Sequence, residues 1–172
     1  MKEKILHWLV IAVGCVFAVA AVLAISNARA AELTPEQARG IYYVAYGQYH
    51  GPREWLEQMP VIHIVSPADL CARQNLPPDC PIKATYLPGH VYASSTLDFS
   101  DPFHASILLH ELVHHMQQLK NGPARNCLEA LRREHEAYMI QSDVLMKSGL
   151  GTEAFGVRMT ARQLHCTPEE GG

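Results

Sequence analysis

The chain has 172 residues, 48% of them hydrophobic, and a mildly acidic balance of 14 Lys plus Arg against 17 Asp plus Glu. Its length suits one domain. Without a Lys/Arg cluster to neutralise a run of phosphates, nucleic acid is excluded as a partner.

The first predicted element is a targeting segment. Lys2 and Lys4 precede an apolar run from Ile5 to Ile25, and Ala28 and Ala30 take the small-residue positions before a cleavage point at Ala30-Ala31. That is the layout of a secretory signal. The run is also long enough to span a bilayer. Residues 1–30 therefore read as a signal peptide or, left uncleaved, as an N-terminal membrane anchor, and the cleavage-like site favours the signal. Cys15 matches a lipoprotein site poorly, because Ala12 holds the leading position. Each reading exports residues 31–172 to the periplasmic or extracellular side, as a single domain of about 140 residues with room for a real core. A membrane is a partner only if the N-terminal segment stays attached. Cys71, Cys80, Cys127 and Cys166 remain in that domain, and an even count in an exported chain implies two disulfides. Cys71 and Cys80 flank "ARQNLPPD", which reads as a closed local loop, and this leaves Cys127 for Cys166. Metal ligation by cysteine lacks any CxxC spacing.

Thr34-Pro35-Glu36 starts a helix, with Thr34 as N-cap, that runs to Tyr49 and stops at His50-Gly51-Pro52. Its tyrosines (Tyr42, Tyr43, Tyr46, Tyr49) read as packing or cleft-lining groups rather than cofactor ligands. "VIHIV", Val61 to Val65, has the β-branched content of a strand, and Ser66-Pro67 caps a short helix through Cys71. Strands are expected over Ile82–Tyr86 and Val91–Ser95, around a Pro88-Gly89 turn. Asp101-Pro102 opens a helix ending near Asn121-Gly122-Pro123. Asn126, with Glu129 at the capping-box position, opens another that runs to Ser148-Gly149, and Thr152 starts a last one ending near His165. The class is α+β: a small sheet, then packed helices.

Function concentrates in "ASILLHELVHHMQQL", Ala105 to Leu119. Residues i and i+4 stack on one helix face, so His110 and His114 can aim both imidazoles at one point, as Zn2+ requires. Glu111 stands one step round the helix, too far to ligate but able to reach a water at the metal and take its proton. This pattern would arise by chance in about 4% of shuffled chains of this composition, so the context has to carry weight. Leu108, Leu109, Leu112, Val113, Met116 and Leu119 surround the pair, which predicts a buried helix. Two buried histidines beside a glutamate need partners. A third ligand is available downstream in "LRREHEAYMIQ". At 100° per residue Glu134 shares the inward stripe of Cys127, Leu131, Tyr138 and Leu145, whereas Glu136 lies about 200° away with Glu129, Arg132 and Asp143 on the wet face. Glu134 is therefore the expected carboxylate ligand.

A metzincin would carry glycine at Gln117 and histidine at Lys120, so that pattern fails. HExxH followed after nineteen residues by Glu134, with "EHEAY" continuing to Tyr138, resembles instead the gluzincin zinc peptidases, the group that contains thermolysin-like enzymes. The likeness spans roughly Tyr86 to Leu145. It implies a zincin-like helical core packed on the small sheet, a Zn2+ cofactor held by His110, His114 and Glu134, and Glu111 as general base in peptide-bond hydrolysis. It further implies a peptide or protein substrate laid along a strand before the first zinc helix. Val91–Ser95 is the expected substrate strand. Tyr138 departs from the Asp or Asn that supports a zinc histidine in several of these enzymes, so support is expected from the Tyr138 hydroxyl or Gln141. His104, His90, Tyr92, Tyr138 and His165 are the candidates for an oxyanion donor. His115 is expected at the surface or behind the ligands, and His135 has no metal role. The alternatives are a catalytically inactive, zinc-stabilised, disulfide-stapled peptide-binding or adaptor domain, and a metal-free structural one.

Overall fold

The computed structural model describes residues 32–166; residues 1–30, read from the sequence as a targeting segment, lie outside them. Helix α1, Pro35–Tyr49, begins in a full capping box: the Gln37 N–H donates to Thr34 Oγ1 (3.1 Å) and the Thr34 N–H to Gln37 Oε1 (2.9 Å). It stops where His50 turns left-handed (φ 47°) and its N–H reaches back to the Tyr46 carbonyl. Ala38, Tyr42 and Ala45 form its buried face. The Tyr42 hydroxyl donates to the Trp55 carbonyl in the 3-10 turn Arg53–Glu57, and that of Tyr46 to Gly51 O (2.8 Å). The tyrosines thus pack, apart from the exposed Tyr43.

Strand β1 is Val61–Val65, and Ser66 caps α2, Pro67–Arg73, by accepting the Asp69 N–H. Strands β2, Ala84–Leu87, and β3, His90–Ser94, form a hairpin whose turn has Pro88 first and Gly89 second, at φ 80°. A type II turn asks for those two residues in that order. The sheet order is β1-β3-β2, with β1 parallel and β2 antiparallel to β3. β3, expected to hold substrate, is therefore the central strand, paired on both sides; β2 is the antiparallel edge.

Helix α3, Pro102–Asn121, is capped by the Asp101 carboxylate, which accepts the N–H groups of Phe103 and His104. Its Leu108, Leu109, Leu112, Val113 and Met116 meet Val91 and Ala93 of β3, Tyr42 and Ala45 of α1, and Ala137 in one core. Helix α4 is Cys127–Lys147 and α5 is Gly151–Gln163. Asn126 caps α4 as expected, but the Glu129 carboxylate takes the Arg125 backbone N–H rather than completing a reciprocal box, because the Arg125 and Arg133 guanidiniums draw it outward. Helix α5 starts one residue before Thr152 and has no side-chain cap. Leu145, Ala154 and Val157 make a second cluster between α4 and α5, joined by Phe103 and Tyr138.

Two disulfides complete the frame, Cys71–Cys80 and Cys127–Cys166, the pairing expected from the sequence. They suit a non-reducing, exported environment. Among the described residues no helix is long and apolar enough to cross a membrane.

Candidate metal centre

Helices α3 and α4 lie side by side and bring three side chains to one point. His110 Nε2 stands 3.1 Å from His114 Nε2 and 3.2 Å from Glu134 Oε2, and His114 Nε2 is 3.1 Å from Glu134 Oε1. Glu136, two residues on, is exposed and outside this group. The helical phase read from the sequence therefore separates the two carboxylates in the way the fold does. His110 is buried, His114 nearly so, and Glu134 keeps part of its side chain in solvent.

The chemistry of these donors fits a cation. The His114 Nδ1 faces Gln117 Oε1 at 2.8 Å. An amide oxygen only accepts, so Nδ1 carries a proton, and Nε2 is the nitrogen turned to the triad, free to present a lone pair once its own proton is displaced. Lone pairs from two rings and a carboxylate that meet within about 3 Å repel one another unless a positive charge lies between them. Tetrahedral ligands at 2.0–2.1 Å from a metal stand about 3.3 Å apart, close to the spacings seen here. The titration behaviour points the same way. Burial pulls the His114 imidazole down, yet its hydrogen bond to Glu134 and the charges of Glu111 and Glu134 outweigh that and push it up to about 9. Burial likewise pushes Glu134 up, but the hydrogen bonds and charges of the two histidines hold its carboxyl well below the usual range. The cluster favours positive charge at its centre, and it can hold a metal ion.

Glu111 is buried beside the triad. Burial raises its carboxyl above the usual range, against the lowering effects of His110, His114 and the Tyr86 backbone N–H. The direction of that N–H follows from the hairpin register. Ser94 N–H bonds Lys83 O (2.9 Å) and Ala84 pairs with Ala93. Because bonded and non-bonded pairs alternate in an antiparallel ladder, Lys83, Thr85 and Leu87 spend their backbone groups on β3. Ala84 and Tyr86 turn theirs to the open edge, toward the cleft.

The cleft has two halves meeting at Glu111. One, about 460 Å³, lies between Ile82, Lys83 and Ala84 on the strand side and His110, Tyr138 and Thr160 on the helix side. The other, about 210 Å³, lies between Thr85, Tyr86, His114, Gln117, Arg133 and Glu134.

Of the five oxyanion candidates only Tyr138 lines the cleft, its ring against His110 at 4.4 Å between centroids. Tyr92 and His90 lie with His63 on the sheet: Tyr92 stacks on His63 and lies under the Arg73 guanidinium, and His90 Nδ1 meets His63 Nε2 at 3.1 Å. His104 Nδ1 accepts the Asp98 N–H, and exposed His165 bonds the Gln163 carbonyl. His115 is neither at the surface nor behind a ligand. It is a buried core histidine, with Nε2 at 2.6 Å from Gln58 O and Nδ1 at 3.3 Å from the Tyr86 hydroxyl. His135 is exposed and outside the triad. Gln141 donates to Ser106 Oγ, and among the described residues neither it nor the Tyr138 hydroxyl hydrogen-bonds a ligand; Gln117 does, from a position noted in the sequence only for failing the metzincin pattern. His110 Nδ1 is buried and has no hydrogen-bond partner among the described residues.

Compared with known proteins, residues 50–170 match the model of a family described as a domain of unknown function, DUF6647. The chain belongs to that family. The match includes every residue of the triad as well as Glu111, and begins after α1. No curated protein and no solved structure matches.

Proposed function

We propose that this chain is an exported, zinc-dependent metallopeptidase with a zincin-like core, working on the periplasmic or extracellular side. The observation that carries the reading is the convergence of His110, His114 and Glu134 with buried Glu111 next to them, at an open strand edge. A zinc ion held by those three ligands supplies Lewis acidity at a scissile carbonyl and makes water acidic enough to lose a proton near neutral pH.

The chain's own residues do the rest. Glu111 accepts the proton of the attacking water and returns it to the leaving amine; a carboxyl raised by burial is better matched to that exchange near neutrality than an ordinary one. The outward N–H and C=O of Ala84 offer an extended peptide an antiparallel partner along β2, so the substrate strand in this reading is β2 rather than β3. Tyr138, the one oxyanion candidate in the cleft, donates its hydroxyl to the developing charge in this reading.

The test is a comparison of the mature domain with its Glu111→Gln variant. Stoichiometric zinc in both, with peptide cleavage lowered at least about 100-fold in the variant, is the expected result; undiminished cleavage would remove Glu111 from the reaction. One observation favours a second reading, a metal-stabilised peptide-binding or adaptor domain without turnover. Among the described residues His110 Nδ1 has no partner, and Tyr138 stands where several of the gluzincins that the chain resembles carry a supporting Asp or Asn. Zinc retained with peptide bound but never cleaved would select it.

A further inference from the structure

Gln117 is almost completely buried, at 1% exposure, and both ends of its amide are engaged. Oε1 faces His114 Nδ1 at 2.8 Å, while Nε2 donates to the Arg133 carbonyl at 2.8 Å and to Glu136 Oε2 at 3.0 Å. Both of the last two groups only accept, so the amide cannot flip: reversal would set its oxygen against a carbonyl and a carboxylate. The orientation of Gln117 is thus dictated from α4, and it in turn dictates which nitrogen of His114 carries the proton. Nothing comparable stands behind His110.

We infer that Gln117 and Glu136 are positioning residues of the metal centre: a carboxylate-to-amide relay across the α3–α4 gap that locks His114 in its Nδ1–H form and aims the Nε2 lone pair at the ion. The inference rests on the metal-centre reading and deepens it. It gives Glu136, an exposed residue that holds no metal, a function at the site. It also makes the relay run from one helix of the triad to the other, so that helix packing and ligand orientation are set by the same contacts. Fixing a ligand's tautomer in this way is commonly worth about 10- to 100-fold in metal affinity.

The experiment is a chelator-competition titration of the metal-free domain with Co2+ and Zn2+, read beside thermal unfolding of the same metal-free samples. Gln117→Leu is expected to weaken binding about 10- to 100-fold, and Glu136→Leu, a surface change, to weaken it by a smaller factor. Gln117→Glu alone places a second carboxylate against Glu136 and is expected to lose affinity; combined with Glu136→Gln, which restores a donor facing an acceptor there but not at the Arg133 carbonyl, it should recover part of it. A purely structural role would lower the unfolding temperature in Gln117→Leu with unchanged affinity, or leave the double substitution no better than the single one; either result overturns the relay while leaving the metal centre standing. Failure of the unaltered domain to bind either ion would overturn both, and that arm is read before any variant.

Discussion

Glu134 and Glu136 stand two residues apart on one helix and use their charge differently. Glu134 turns toward two imidazoles; Glu136 stays in solvent and reaches the site only through Gln117. The first was legible in the sequence, because a carboxylate on an otherwise apolar stripe demands a partner. The second was not, because periodicity says which face a residue occupies and nothing of which neighbour an exposed side chain bends to meet. His115 failed for a related reason. Stepping it 100° from His114 places it off the ligand face, but α3 is buried on nearly every side, so a residue off that face is still inside. A pH dependence belongs to this scale. In the metal-free protein the His114 imidazole is raised to about 9 from an ordinary 6.5. Its imidazolium–carboxylate contacts therefore stabilise the metal-free fold fully below about pH 6.5, and that contribution fades as pH rises through about 9. A metal ion must displace the same proton, so apparent affinity should climb about tenfold per pH unit between those limits. Zn2+ competition titrations at several pH values would show it; a plateau already reached at pH 7 would contradict it.

At the scale of elements, the caps, turns and helix limits were readable because they depend on neighbours in sequence. Thr34, Ser66, Asp101 and Asn126 all cap where expected. Strand order was not readable. Val61–Val65 pairs with His90–Ser94 across the intervening α2 and β2, and that distant pairing puts β3 in the middle. Local composition is the same for an edge strand and a central one. The register yields a test that separates fold from function. Ala84→Pro removes an outward N–H and leaves the β2–β3 ladder intact, a change tolerated on edge strands. Thr85→Pro removes a ladder N–H instead. On the proposed reading Ala84→Pro raises KM for peptides several-fold with near-native unfolding temperature, while Thr85→Pro lowers the unfolding temperature clearly. Unaltered KM in a folded Ala84→Pro protein would argue against substrate pairing on β2.

At the scale of the whole molecule, the α+β class and both disulfide pairings were legible in the sequence, whereas the cleft between β2 and the helices emerges only from packing. Helix α5 shows how much depends on that packing. It is fastened to α4 by Leu145, Ala154 and Val157, by the Arg158–Asp143 pair at 2.7 Å, and by Cys127–Cys166. It supplies Thr160 to the cleft and helps seat Tyr138. The two disulfides close chain segments of 39 and 9 residues. By loop-closure entropy the longer bridge contributes about 4 kcal/mol and the shorter about 2.5 kcal/mol. Paired replacement of Cys127 and Cys166 by serine should therefore lower the unfolding temperature more than replacement of Cys71 and Cys80, as differential scanning calorimetry would record.

The longer bridge has a second consequence. It joins the first residue of α4 to the segment beyond α5, so both helices and the exposed Ser148-Gly149 link between them lie inside one covalent ring. A protease that severs that link opens the ring and releases nothing: the fragment bearing Glu134 and the one bearing Thr160 stay tethered through sulfur. The domain thereby keeps its metal-binding half and its cleft wall together after a nick.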